Sequence, residues 1–227
     1  MEFWYFFGFS LIFLALKFAS RSIKGKGVSS ALNFFATPLI VISIISAAWF
    51  GVYLGPTVPL ALVMFALILS VVGDVYNSMP NNSHFMWGLV YFAMAHVLYI
   101  IAFMSITGFS WALLPIAIGF MIILSLTYLK WKKRLDVMMS IAVPFYMGMV
   151  SVMLLTAIGA YIGHHSTGTI MLMCGALSFF ISDFAIGINA FWLEKPSKTI
   201  GALIWITYAI AQALFASCVA TGLFSLK

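Results

Sequence analysis

Two aspartates, Asp74 and Asp183, stand inside long apolar stretches of the chain and are the residues best placed to do chemistry. An Asp at the centre of a lipid-spanning helix costs roughly 2.5–3.5 kcal/mol on insertion scales, against a gain of only about 0.3–0.6 kcal/mol for each central Leu, Ile, Val or Phe. Two such residues in so apolar a chain point to function, with a polar link between helices as the plain structural alternative. The other acidic residues, Glu2, Asp136 and Glu194, fall at helix ends or in loops. Near the middle of another apolar run sits His96, with Tyr99 three residues on and hence on the same helical face. Buried carboxyls and an imidazole perturb one another and act as acid and base. Asp74, Asp183 and His96 are therefore the candidate catalytic groups.

Other polar residues keep them company. Ser70 and Ser78 are four residues from Asp74 and Asn77 is three away, so at helical spacing they share its face and suit a wetted cavity. Pro144 precedes Phe145 and Tyr146, and a proline kink opens space between helices, which makes Tyr146 a candidate for the cavity border. Tyr208 and Gln212 form a further i,i+4 polar pair that reads as helix-to-helix glue. A catalytic zinc needs several nitrogen or thiolate ligands converging. Only His96 is central, while His84, His164 and His165 lie at loops, so neither a metal nor another cofactor is expected. Cys174 and Cys218 fall in apolar segments and read as small packing residues, with no disulfide framework. No phosphate-binding glycine loop, serine elbow or Cys–His pairing supports nucleophilic acyl transfer.

The elements that must position these residues follow from composition. Of 227 residues, 64% are hydrophobic and 7% charged, too few charges for a soluble domain, where about 25% is usual. A spanning helix takes roughly 20 residues. Apolar runs at 3–20, 33–53, 57–77, 84–106, 109–129, 136–160, 168–192 and 199–223 predict an all-α bundle of eight transmembrane helices, one domain over residues 1–227. The first run lacks a basic leader and a clear cleavage site, and reads as a span. The runs are apolar all round, unlike the alternating strands of a membrane barrel. Pro38, Pro115 and Pro144 are expected to kink the second, fifth and sixth spans.

Charge distribution sets the orientation. Arg21, Lys24 and Lys26 lie between spans one and two, Lys130, Lys132, Lys133 and Arg134 between five and six, and Lys195 and Lys198 between seven and eight. With eight spans all three groups fall on one side, and the intervening loops carry no Lys or Arg. The positive-inside rule then puts both termini outside the cytoplasm, with a bacterial cytoplasmic membrane as the expected location. On this plan Asp74 and Asp183 both belong to the cytoplasmic half. The basic excess thus reads as topology, with no nucleic acid or protein partner inferred.

Three motifs carry a family resemblance: Gly73-Asp74, then Phe85-Met86-x-Gly88 with Phe92-Ala93-x-Ala95-His96-x-Leu98-Tyr99-Ile100, then Ser182-Asp183 with Asn189 and Phe191. Together with the eight-span plan they resemble the YhhN family of membrane lysoplasmalogenases over nearly the whole chain. The resemblance implies hydrolysis of the vinyl ether bond of a lysoplasmalogen, an alkenyl-glycerophosphoethanolamine or -choline, to a fatty aldehyde and the glycerophospho-head group. It assigns roles to Asp74, His96, Tyr99, Asp183 and Asn189, with His96 and Tyr99 orienting water or polarising the ether oxygen. Asn189 lies six residues beyond Asp183, about 120° away around an ideal helix, so both can face one cavity only if it is broad or the helix is distorted. An apolar groove between helices would take the alkenyl chain, and Lys130 to Arg134 either meets the phosphate or serves topology alone. The competing readings are a proton-coupled transporter or lipid flippase, which also keeps Asp and His inside its bundle, and a structural membrane protein.

Overall fold

Lipid offers no partner to an open backbone, so each apolar run closes its hydrogen bonds within itself as a helix. The computed structural model describes residues 55, 57–77, 82–108 and 111–225. The expected spans at 3–20 and 33–53, with Pro38 and the first basic group, lie outside these residues. The described helices are α1 (Val58–Asn77), α2 (Asn82–Thr107), α3 (Leu114–Trp131), α4 (Val137–Gly163), α5 (Thr167–Gly187) and α6 (Lys198–Ala220). Among the described residues there is no strand. Among the described residues six helices are long and apolar enough to cross a membrane, and they correspond to the expected third to eighth spans.

Polar residues at the ends supply the missing helical partners. The Asp136 carboxylate accepts from the Met139 N–H at 2.7 Å and starts α4. Ser166 and Thr169 form a reciprocal capping box at the start of α5. Ser197 accepts from the Ile200 N–H at the start of α6.

One expectation about helix geometry needs correction. Pro115 does not kink a span: α3 begins only at Leu114, and Pro115 sits in its first turn, where the missing N–H leaves no hydrogen bond unmade. The seventh span carries a distortion: α5 passes into a π turn over Ile188–Trp192. Pro144 does lie inside α4.

Helix α1 packs along α2 and α5 along α6, and α4 joins these pairs by touching both α2 and α5. Glycine permits the closest approaches. A Cβ on Gly73 would come within 2.8 Å of the Phe92 ring, and one on Gly175 within 2.8 Å of Phe215. The interior of the bundle is aromatic: Phe179 meets Phe92, His96 and Tyr208 edge-on and stacks on Phe215. Tyr99, Phe103 and Phe215 continue this cluster away from the aspartates. Among the described elements, α3 packs chiefly on α4, and of its residues Thr127 and Trp131 are buried.

Candidate active site

Asp74, near the end of α1, and Asp183, near the end of α5, are buried and line one cavity of about 230 Å³. Each carboxylate is held by a tyrosine from another helix. The Tyr146 hydroxyl of α4 donates to Asp183 Oδ2 at 2.7 Å, and the Tyr208 hydroxyl of α6 donates to Asp74 Oδ2 at 2.6 Å. Both lie within the ordinary range of O–H···O bonds. The carboxyls also interact electrostatically with one another.

The rest of the wall is largely apolar, including Phe92, Trp131 and Trp205, with Asn77 and Ser182 as further polar groups. The Ser182 hydroxyl is already committed, donating to the Ile204 carbonyl at 3.0 Å. Trp131 reaches the cavity because residue 187 is glycine: a Cβ there would run into its six-membered ring. Cavity-lining residues come from the ends of α1, α3 and α5 and the beginnings of α2, α4 and α6. The cavity therefore occupies one end of the bundle, the end that carries Lys130 to Arg134, Lys195 and Lys198.

His96 lies behind this wall. It is fully buried and does not line the cavity. Its Nδ1 is 2.6 Å from the Phe92 carbonyl oxygen, and because a carbonyl can only accept, Nδ1 carries the proton of the neutral ring. Nε2 then presents its lone pair toward Asp183 Oδ2, 3.9 Å away, beyond direct hydrogen-bond distance. Tyr146 and Phe179 meet the imidazole edge-on. The residue can act on Asp183, whereas orienting water in the cavity requires a position it does not have.

The remaining expected site residues divide. Asn77 and Tyr146 are at the cavity. Asn77 packs so closely over Gly88 that its amide oxygen occupies the space of the missing Cβ. Tyr99 is buried away from the cavity, against Ser70, Phe103 and Phe215. Asn189 is also absent from the wall: its side-chain oxygen accepts from the Ser197 N–H at 2.7 Å and shapes the turn into α6. The helix distortion required for Asn189 to join Asp183 does occur, as the π turn, but its outcome is to bring Phe191 to the cavity. Tyr208, read from the sequence as glue, is the partner of Asp74. Its signal was a hydroxyl that lipid cannot satisfy, and its partner is 134 residues away.

The basic cluster is partly committed as well. Lys130 lies 4.7 Å over the Trp192 ring, and an Arg134 guanidinium nitrogen donates to the Leu193 carbonyl. Both contacts tie the end of α3 to the segment after α5.

A bundle of apolar helices with two tyrosine-held carboxyls facing one end-on cavity defines a multi-pass membrane protein with an intramembrane dicarboxyl site. The model of the YhhN family matches residues 32–219, and the chain belongs to that family. No solved structure matches the chain.

Proposed function

We propose that this protein is a lysoplasmalogenase that hydrolyses the vinyl ether bond of alkenyl-glycerophosphoethanolamine or -choline by acid–base catalysis between Asp183 and Asp74. The observation that carries this reading is the pair of buried carboxyls facing one mainly apolar cavity. A vinyl ether, R–CH=CH–O–R′, resists bases and nucleophiles but yields to an acid that protonates the alkene carbon remote from oxygen. The resulting oxocarbenium ion, R–CH₂–CH=O⁺–R′, takes up water to give a hemiacetal and releases one proton. Collapse of the hemiacetal gives the fatty aldehyde and the glycerol hydroxyl of the head group.

Two carboxyls in different surroundings divide this work between them. His96 turns its Nε2 lone pair, not an N–H, toward Asp183 Oδ2 3.9 Å away and so supplies no donor to hold an ionised carboxylate there; Asp183 is therefore assigned as the acid. Asp74, with the Tyr208 hydroxyl as donor, is the carboxylate that stabilises the cation and accepts the proton of the attacking water. Asn77 is suited to the glycerophospho part of the substrate. Lys132 and Lys133, exposed beyond the cavity, suit its phosphate. Tyr146 and Tyr208 hold the carboxyls. The aromatic cluster of Tyr99, Phe103 and Phe215 fills the bundle on the far side of the site, which favours a one-ended reaction chamber over a transporter pathway. Purified protein incubated with a lysoplasmalogen should release fatty aldehyde detectable by mass spectrometry. Movement of intact lipid across vesicles without aldehyde would instead establish the flippase reading.

The full reading comprises one domain of eight spans in a bacterial cytoplasmic membrane, both termini outside, the site opening toward the cytoplasm, and no protein or nucleic-acid partner. Reporter fusions after Lys26 and after Arg134 should both read cytoplasmic. A periplasmic signal from either contradicts the topology. The mechanism uses no cofactor, so prolonged chelation should leave turnover intact. Activity lost on chelation and restored by zinc alone would replace it with a metallohydrolase.

A further inference from the structure

A second, smaller cavity of about 170 Å³ lies between α3 and α4, and three of its walls, Trp131, Val143 and Met147, are also walls of the carboxyl cavity. We infer that this cleft is the site that holds the hydrocarbon chain of the lipid substrate, with Trp131, Val143 and Met147 forming the threshold between chain and reaction centre. The inference rests on the vinyl ether reading above. In such a substrate the reacting alkene is the first segment of the chain itself. A chain whose first carbons lie at the carboxyls must leave through an apolar space adjoining their cavity, and the α3–α4 cleft adjoins it across the shared Trp131, Val143 and Met147.

The local sequence opens the cleft. Pro144 and Gly148 are four residues apart, on one face of α4, and both line it. A Cβ built on Gly148 meets nothing within 4 Å, so the glycine leaves open space where another residue would project a side chain. The facing wall, on α3, includes Met121, Leu124 and Tyr128. Ser125 is polar, but its hydroxyl donates back to the Met121 carbonyl at 2.7 Å and is satisfied without a partner in the cleft. From Met121 to Trp131 the helix rises about 15 Å, which provides a trough running from the basic end of the bundle toward its middle. Met121 and Ser125 are exposed at the outer rim, so among the described residues the trough opens sideways. A chain in it lies parallel to the helices, as lipid chains do, while its head group stays at the Lys132 and Lys133 end.

The test compares Gly148→Leu, which fills the trough, with Gly119→Leu, which adds the same side chain to α3 where a Cβ also meets nothing within 4 Å and which lies outside the cleft. The readout is the ratio of kcat/KM for a long-chain lysoplasmalogen to that for a short-chain alkenyl analogue. Gly148→Leu should lower this ratio by about tenfold or more, since each buried methylene contributes to binding, and Gly119→Leu should leave the ratio at its parent value. Equal ratios in the two variants overturn the inference. Binding is read separately with a lysophospholipid carrying a diazirine at the end of its chain, counting only labelling that excess unlabelled lysophospholipid competes away. Label on the 121–128 or 144–148 segments supports the cleft, and label confined to other helices overturns it. Labelling requires no turnover. Cleft labelling by a protein that releases no aldehyde therefore retains the chain site and removes the hydrolase reading.

Discussion

Asp74→Asn and Asp183→Asn should each lower aldehyde release by about 10²–10⁴-fold, the usual contribution of a positioned acid or base, while the protein remains inserted and folded. Asn keeps the size and hydrogen-bonding outline of Asp. It can neither donate the acidic proton to the alkene carbon nor hold the negative charge opposite the oxocarbenium ion. The folded state has little to lose, because the Tyr146 and Tyr208 hydroxyls can still donate to an amide oxygen, and a neutral amide is cheaper to insert in lipid than a carboxylate. The two groups serve one reaction, so the double variant should be scarcely slower than either single one. Independent structural roles would instead produce additive losses of stability. His96→Ala should be milder than either, since the imidazole reaches the reaction only through Asp183. Turnover and melting temperature, measured together in detergent, check the set. Full activity in either Asn variant, or a loss that merely follows a lowered melting temperature, contradicts the dicarboxyl mechanism.

Tyr146→Phe and Tyr208→Phe carry the next largest effects. A hydrogen bond to a charged group contributes about 1.5–3 kcal/mol, so each variant should lose about 10- to 150-fold in kcat if that bond is fully used in the transition state. The ring remains, so the edge contacts of Tyr146 with His96 and of Tyr208 with Phe92 and Phe179 are kept. The two variants should differ in kind. Tyr146→Phe removes the donor to the acid assigned here, whereas Tyr208→Phe removes the donor to the carboxylate that faces the cation. Tyr208→Phe should therefore cost more in kcat than in KM. A kcat unchanged in both variants would reduce the tyrosines to packing residues.

The sequence made the aspartates legible because of a large energy difference: a carboxyl within an apolar span is expensive enough to need a reason. The six described spans were legible for the same cause, since runs as long and apolar as 57–77 and 136–160 have few other uses. Less legible was what depends on contacts between distant segments. Tyr208 looked like half of an i,i+4 pair with Gln212, and nothing local connects it to Asp74. His96 and Tyr99 share a helical face with the cavity-lining Phe85, Leu89 and Phe92, yet neither lines the cavity, because they sit deeper along α2 among the aromatic cluster. Asn189 showed the limit of motif spacing most clearly. Its side chain supports the turn before α6, a role set by the π turn and by the position of Ser197. Pro115 was misread for a simpler reason: without the boundary of α3, a proline in the first turn cannot be told from one in the middle.

The central claim is that an enzyme carboxyl protonates carbon, and one measurement addresses it most directly. Purified protein is incubated with a lysoplasmalogen in D₂O, the aldehyde is trapped at once by borohydride reduction, and the fatty alcohol is examined by mass spectrometry. Addition of a solvent-derived proton to the alkene carbon remote from oxygen is the step assigned to the acid, so its enzyme-dependent rate reads that group directly. The account predicts one deuterium at carbon 2 of the alcohol, with its rate of appearance greatly reduced in Asp183→Asn. Aldehyde formed without deuterium at that carbon, or formed at the parental rate by Asp183→Asn, would contradict it.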